Sequence, residues 1–246
     1  MHVLSKDEFW ALKQSDTIVI YGCGYSIRKI TGQEQEQFNA LDSIATNWFL
    51  KSSIPVKFYL VREQANNSKR VNREQGEDVD SFFRDINSPP YDRSYLIVHD
   101  LSDHSRKIFH YHTNIGRFNH KGIVIKDVKL PNNDTNVKRW RKKNFFKTGV
   151  IHGVMTLTNA LHIAINMRYE RIIFVGIDLT DSRYFWLGKK ETRHTVRQKG
   201  QKFRSPHATG EYTLNLINQI KKYHKIKMYV HNKRSLLTQL MPVWES

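Results

Sequence analysis

Apolar residues fall along this chain in short β-branched runs divided by polar stretches, and two periods alternate between them. Thr17-Ile18-Val19-Ile20-Tyr21 has no polar interruption and predicts a strand buried on both faces; Tyr95 to Asp100 and Arg171-Ile172-Ile173-Phe174-Val175 read the same way. Shorter runs predict strands from Asp42 ending at Asn47, from Val56 to Val61, from Gly122 to Ile125 and from Ile226 to Val230. The helical period appears at residues 7 to 14, with Phe9, Trp10 and Leu12 on one side. It returns at Val154, Leu157, Leu161 and Ile165, and again from Glu211 to Tyr223. Ser235-Leu236-Leu237 begins a short terminal helix. Gln33 to Asn39 is polar and reads as a loop or irregular helix, and Arg62 to Asp80 reads as a surface insertion.

Buried strands alternating with amphipathic helices imply one α/β domain over residues 1–246. The expected architecture is Rossmann-like: a mostly parallel central sheet, helices on both faces and a lid-like segment over about residues 181–206. A length of 246 residues suffices for one large core without a second domain.

Composition changes this picture in two ways. Lys and Arg outnumber Asp and Glu by 40 to 23, and the resulting net charge of +17 favours an anionic partner: nucleic acid, a membrane surface, or a phosphorylated or carboxylated small molecule. The single cysteine, Cys23, excludes an internal disulfide and a thiolate-rich zinc site. Without a signal-like or membrane-spanning apolar run, the reading is cytoplasmic, or peripheral at the inner face of a membrane.

The chemistry concentrates at strand ends. Gly22-Cys23-Gly24-Tyr25-Ser26 follows the first long strand as a glycine turn before a helix start, an arrangement that either presents backbone N–H groups to a phosphate or ribose or is a turn without ligand. Thr156, Thr158 and Asn159 open the central helix, where hydroxyls and helix-end N–H groups either bind phosphate or cap the helix. Gly176-Ile177-Asp178 ends the most strand-like run, at the edge where open α/β sheets place ligands. From Gly188 to Arg204 the chain is strongly basic, as an exposed loop or a cationic cover over an anionic substrate would be.

Two other groupings carry weaker signals. His99, His104, His110 and His112 match no zinc spacing and read as ordinary core and surface histidines, so no metal or cofactor is expected. Lys138 to Lys147, KRWRKKNFFK, is a single-stranded nucleic-acid platform, a patch for anionic lipid, or a solvated face whose Trp140, Phe145 and Phe146 pack inward.

The order of elements and several motifs resemble the bacterial sialyltransferases of glycosyltransferase family 42. Gly22-Cys23-Gly24-Tyr25-Ser26 is similar to that family's Gly-Asn-Gly-Pro-Ser turn, with Cys23 and Tyr25 as departures. Tyr169 to Asp178 is similar to Tyr-Lys-Glu-Ile-Tyr-Leu-Ser-Gly-Ile-Asp, and the interval from His207 to Tyr223 before KIKMYV equals the family's interval after its catalytic His. Leu60 stands where a second donor-binding Asn is expected. The resemblance implies an inverting, metal-independent glycosyltransferase that moves sialic acid, another nonulosonic acid or Kdo from a CMP-activated donor to a glycan acceptor of lipooligosaccharide or capsule type. It implies His207 as base and Tyr184, Thr156 and Thr158 as donors to the leaving phosphate. Gly22, Cys23, Gly24, Ser26 and Asn47 would hold the nucleotide, with Gly176 and Asp178 positioning it, in a tetramer. No specific nucleic acid is expected as a partner. Residues 158 to 179 also resemble the 6-hydroxymethylpterin diphosphokinase-like family, which would require a divalent cation on Asp178 and Asp181. A non-enzymatic nucleic-acid module is the third reading.

Overall fold

Strand β2 (Thr17–Tyr21) sends Ile18 and Ile20 to one face of the sheet and Val19 and Tyr21 to the other, and all four side chains are buried. That two-sided burial explains its uninterrupted apolar run and sets the pattern for its neighbours. The computed structural model describes residues 1–61, 63–65, 78–100, 108–129, 137–138, 140, 145–152, 156–179, 184–186 and 206–245; the side chains of 47, 63–65, 108–110, 129, 152 and 206–209 are excepted.

The strands are β1 (His2–Val3), β2, β3 (Asp42–Thr46), β4 (Phe58–Val61), β5 (Glu63–Ala65), β6 (Tyr95–Asp100), β7 (Ile108–His110), β8 (Lys121–Lys129), β9 (Val150–His152), β10 (Arg171–Val175) and β11 (Lys227–Val230). The helices are α1 (Lys6–Trp10), α2 (Gly32–Asn39), α3 (Val79–Ile86), α4 (Phe145–Thr148), α5 (Thr156–Asn166) and α6 (Pro206–Tyr223). In the main sheet the order is β1-β8-β6-β4-β3-β2-β10-β11, with β9 pairing β8 and every pairing parallel. β5 and β7 form a separate antiparallel pair.

Helices cover both faces of the sheet. Leu157, Ala160 and Leu161 of α5 and Leu216, Ile217 and Ile220 of α6 pack on the Ile18, Ile20 and Phe174 face. On the other face Phe38 of α2 and Phe82, Phe83 and Ile86 of α3 pack against Val19, Tyr59 and Val98. Trp140 and Phe145 are fully buried in the first of these cores, so the aromatics of the KRWRKKNFFK stretch that are described there pack inward.

Four sequence expectations need correction. Residues 33–39 form a regular helix, fixed by a capping box in which Thr31 Oγ1 accepts from the Glu34 N–H and Glu34 accepts from the Thr31 N–H at 2.8 Å. β3 ends at Thr46, and Asn47 opens a 3₁₀ helix. β8 runs nine residues rather than four: the exposed Lys121 starts it, and beyond Ile125 it continues with the exposed Lys126, on the same face as the exposed Val124, while Ile123, Ile125 and Asp127 are buried on the other. The polar stretch after Val61 contains β5 and leads into α3, whose cap Asp78 accepts from the Ser81 N–H at 2.9 Å.

At the N-terminal edge of the sheet Asp42 is a buried hub. Its carboxylate accepts from Lys57 Nζ at 2.6 Å, Tyr169 Oη at 2.8 Å, and the Gln14 and Ser15 N–H groups at 2.9 and 3.2 Å. Burial, and then the neighbouring Asp42, raise the Tyr169 phenol well above its ordinary pKa.

Candidate functional site

After β2 the chain places β3, β4, β6 and β8 on one side of it, and then returns to place β10 and β11 on the other. The order therefore reverses between β2 and β10, the position at which open α/β sheets place ligands, outside the C-terminal ends of the strands. The two leaving loops are Gly22-Cys23-Gly24 and Gly176-Ile177-Asp178.

These loops meet at backbone contact. The Gly22 N–H donates to Val175 O and the Gly24 N–H to Gly176 O, both at 2.8 Å. A Cβ on Gly22 would fall 2.5 Å from Gly176 O, and one on Gly24 would fall 2.6 Å from Asp178 Oδ2. Gly176 itself has φ +69°, a left-handed conformation that side chains disfavour. The glycines are thus explained by close approach of two loops. The Gly22 and Gly24 N–H groups are therefore engaged by neighbouring carbonyls, and the turn contributes a tightly held edge.

Asp178 fastens that edge. Its Oδ2 accepts the Ser26 N–H at 2.9 Å, its Oδ1 accepts the Ser26 hydroxyl, and Asn232 Nδ2 donates to the same Oδ1 at 2.7 Å. Ser235 Oγ donates to Ile177 O at 2.6 Å. Ser26 and Asp178 are both buried, and their polar atoms face each other. Asn232 and Ser235 were invisible in the sequence as site residues, since only the fold brings the chain after β11 to the end of β10.

Residues 184–186 cross the glycine turn. Tyr184 bridges Gly24, the Phe185 N–H donates to Cys23 O at 3.3 Å, and Arg28 Nε donates to Phe185 O. Phe185 is buried against Phe49, with ring centroids 5.9 Å apart, while the half-buried Tyr184 and Trp186 stack at 4.7 Å. Arg28, whose guanidinium lies 5.2 Å above the Tyr25 ring, was also missed; no motif marks it. Cys23 points into the core, its thiol 3.7 Å from Thr46 O. Burial pushes the Tyr21 phenol, in the same core, above its ordinary pKa.

The remaining expected residues come from three further elements. Asn47 follows β3, the neighbour of β2 in the sheet, and its side chain lies outside the described residues. Thr156 is half-buried at the start of α5, whereas Thr158 is fully buried there and its Oγ1 has no partner among the described residues. His207 is the second residue of α6, and its side chain also lies outside the described residues. One turn on, a Cβ at Gly210 would come 3.8 Å from Leu179 O, so the first turn of α6 stands beside the chain leaving Asp178. Leu60 lies inside β4 and is buried in the core, away from the crevice.

Among the described residues no group of His, Cys, Asp or Glu is arranged to hold a metal ion. His99 pairs with Asp127 at 2.9 Å and His112 with Asp100 at 3.3 Å, while His104 and Asp181 lie outside the described residues. Most of the expected lid, 181–206, lies outside them as well, as does the basic run from 188 to 204. Among the described residues no helix is long and apolar enough to cross a membrane.

No protein-family model matches the sequence, and no curated protein matches it. Solved structures do. The monofunctional alpha-2,3-sialyltransferase Cst-I from Campylobacter jejuni matches over 99% of this chain and 82% of its own, with a TM-score of 0.51 at 15% identity. The sialyltransferase CST-II of the same organism, in complex with a trisaccharide acceptor and CMP, matches over 92% of this chain and 85% of its own, with a TM-score of 0.53 at 14% identity. At these identities the likeness is one of architecture: the chain has the α/β fold of these sialyltransferases along almost its whole length.

Proposed function

We propose that this protein is a glycosyltransferase that moves an acidic sugar, sialic acid or a related nonulosonic acid or Kdo, from a CMP-activated donor to a glycan acceptor. The observation that carries the reading is the convergence at the β2/β10 switch point. The glycine turn, the Tyr184 segment and the first turn of α6, which bears His207, all reach the end of β10. The neighbour solved with CMP and a trisaccharide acceptor shares this fold and binds both kinds of ligand.

In the proposed reaction the bond from the anomeric carbon to the phosphate oxygen breaks and CMP departs. The acceptor oxygen bonds to that carbon from the opposite face, which inverts its configuration. His207 takes the acceptor proton, a role suited to an imidazole that titrates near neutrality. Tyr184 and Thr156 donate to the leaving phosphate, supplying hydrogen bonds where negative charge develops. Thr158, in the first turn of α5, is fully buried. Gly22, Gly24, Ser26, Gly176 and Asp178 shape the floor, Asn47 reaches the nucleotide from the end of β3, and Cys23 sets the core beneath it.

The net charge of +17 suits an anionic donor and also suits a peripheral seat on an anionic membrane that presents a lipid-linked glycan. A tetramer is part of the same proposal, open to light scattering.

The deciding experiment measures binding of CMP, CDP, UDP and ATP by calorimetry, then hydrolysis and transfer of CMP-sugars by wild type and His207→Ala. Selective CMP binding is expected, with turnover lost at least a hundredfold in the variant. Failure to bind any cytidine nucleotide would end the reading, and wild-type turnover by His207→Ala would remove His207 as base. Turnover that persists in a chelator is expected, and it would count against metal-dependent pyrophosphoryl transfer.

A further inference from the structure

Beneath the start of α5 lies a polar group that the proposed chemistry does not use. His99 is one residue from the end of β6 and pairs in register with Ile125 of β8; two residues on, the pleat brings Asp127 back to the same face. His99 Nδ1 lies 2.9 Å from Asp127 Oδ1, and neither side chain has exposed surface. A carboxylate can only accept, so it is the Nδ1–H tautomer of His99 that pairs with an ionised Asp127. The same Oδ1 accepts from Asn159 Nδ2 at 3.3 Å, and Asn159 also donates to Ile151 O at 3.0 Å. The Ile151 N–H in turn donates to Nδ1 of His162, at 3.2 Å. The Asp127 carboxylate thus links β6, β8 and the first turn of α5, and Asn159 and His162 tie that helix to β9.

Burying a carboxylate and an imidazole is costly, and apolar side chains of equal volume would hold a helix against a sheet at least as firmly. His99 Nε2 and Thr158 Oγ1 add to the cost, since both are buried without a partner among the described residues. What hydrogen bonds supply and apolar packing does not is direction. The Asn159 amide, held at two acceptors, fixes both the rotation of α5 about its axis and its height above the sheet. Thr156 lies three residues earlier on the same side of that helix.

We propose that His99, Asp127 and Asn159 are positioning residues that lock the first turn of α5, so that Thr156 and the helix-end N–H groups stand ready for the leaving phosphate. The functional half of this inference rests on the proposed glycosyl transfer. The structural half does not.

The test compares Asp127→Asn, His99→Leu and His99→Gln in the full chain. Gln keeps an N–H donor for Asp127, and Leu removes it. Hydrogen exchange is followed separately at the amides of Ala160 to Ile163, whose helical acceptors are the first-turn carbonyls, and in the last turn at Asn166, alongside CMP affinity and kcat for CMP-sugar hydrolysis. In Asp127→Asn and His99→Leu, exchange at Ala160 to Ile163 should accelerate at least tenfold with the last turn unchanged. In both, kcat should fall ten- to a hundredfold while CMP affinity stays within threefold. His99→Gln should recover most of each loss. Equal behaviour of His99→Leu and His99→Gln, or exchange accelerated uniformly along α5, would overturn the inference. Should Asp127→Asn not fold, the two His99 variants decide it alone. Should wild type turn over no CMP-sugar, the proposed function falls, and the exchange pattern still decides whether this network locks the helix.

Discussion

Asp178 holds Ser26 by two hydrogen bonds, taking its backbone N–H at 2.9 Å and its hydroxyl on the other carboxylate oxygen. This clamp joins the loop after β2 to the loop after β10, across the point where the strand order reverses. Asp178→Asn removes the charge and one acceptor, so unfolding in urea should show a loss of about 2–4 kcal/mol. Ser26→Ala, which keeps the backbone bond, should lose only ~1–2 kcal/mol. Equal stability of wild type and Asp178→Asn would mean that the clamp contributes nothing to the fold.

Gly24 and Gly32 provide a paired test of why glycine occurs here. A Cβ on Gly24 would meet Asp178 Oδ2 at 2.6 Å and Gly176 O at 2.7 Å, whereas one on Gly32, in the first turn of α2, meets nothing within 4 Å. Gly24→Ala should destabilise by about 2 kcal/mol or more, as overpacking against backbone does. Gly32→Ala should be neutral or stabilising by up to ~1 kcal/mol. Thermal melts of the two variants, side by side, separate a required glycine from a tolerated one.

On the proposed function, the Tyr184 hydroxyl acts in the transition state while its ring, stacked on Trp186 at 4.7 Å, shapes the crevice. Tyr184→Phe should therefore cut kcat by roughly 10- to 100-fold and leave CMP affinity nearly unchanged. Trp186→Ala, which removes the stack, should weaken CMP binding instead. Steady-state kinetics with calorimetry distinguish the two, and a Tyr184→Phe enzyme with normal kcat would remove the hydroxyl from the mechanism.

Acid stability is set in part by His120, whose pKa is pushed down to about 4, first by burial and then by the N-terminal ammonium. Its Nε2–H donates to Tyr91 O at 3.0 Å, and its Nδ1 is buried without a partner among the described residues, so the neutral ring fits the site. Between the unfolded pKa near 6.5 and the folded pKa near 4 the unfolded chain binds more protons. Stability should then fall as pH drops through that window, and His120→Gln should flatten the fall. Melting temperatures from pH 7 to 4 test the sign directly.

The strands with apolar runs buried on both faces, β2, β4, β6 and β10, stand out most plainly in the sequence, and β3 and β11 follow from shorter runs. α2 escaped because its surface is nearly all Gln and Glu; its true signal was the Thr31 and Glu34 capping pair, which reports helix starts regardless of hydropathy. β8 appeared too short because exposed lysines, Lys121 at its start and Lys126 after Ile125, bound its apolar run. At the site, Gly22, Gly24, Gly176 and Asp178 stood out because strand ends are local features. Arg28, Asn232 and Ser235 did not, because each acquires its role from a partner 54 to 157 residues away. The pairing of the Gly22 and Gly24 N–H groups was illegible for the same reason: their acceptors belong to the end of β10 and the loop after it.

The position of β10 between β2 and β11 also has a consequence for synthesis. β2 emerges early and acquires β3 within about 30 residues, yet its other edge stays unpaired until residues 171–175 arrive. During most of translation the nascent sheet therefore carries an open edge of unpaired backbone N–H and C=O groups on the largely apolar β2, a template for pairing with other chains. Fragments that stop before Arg171 should aggregate, and full-length yield should depend on chaperones that shield one strand, β2, until its late partner closes the sheet.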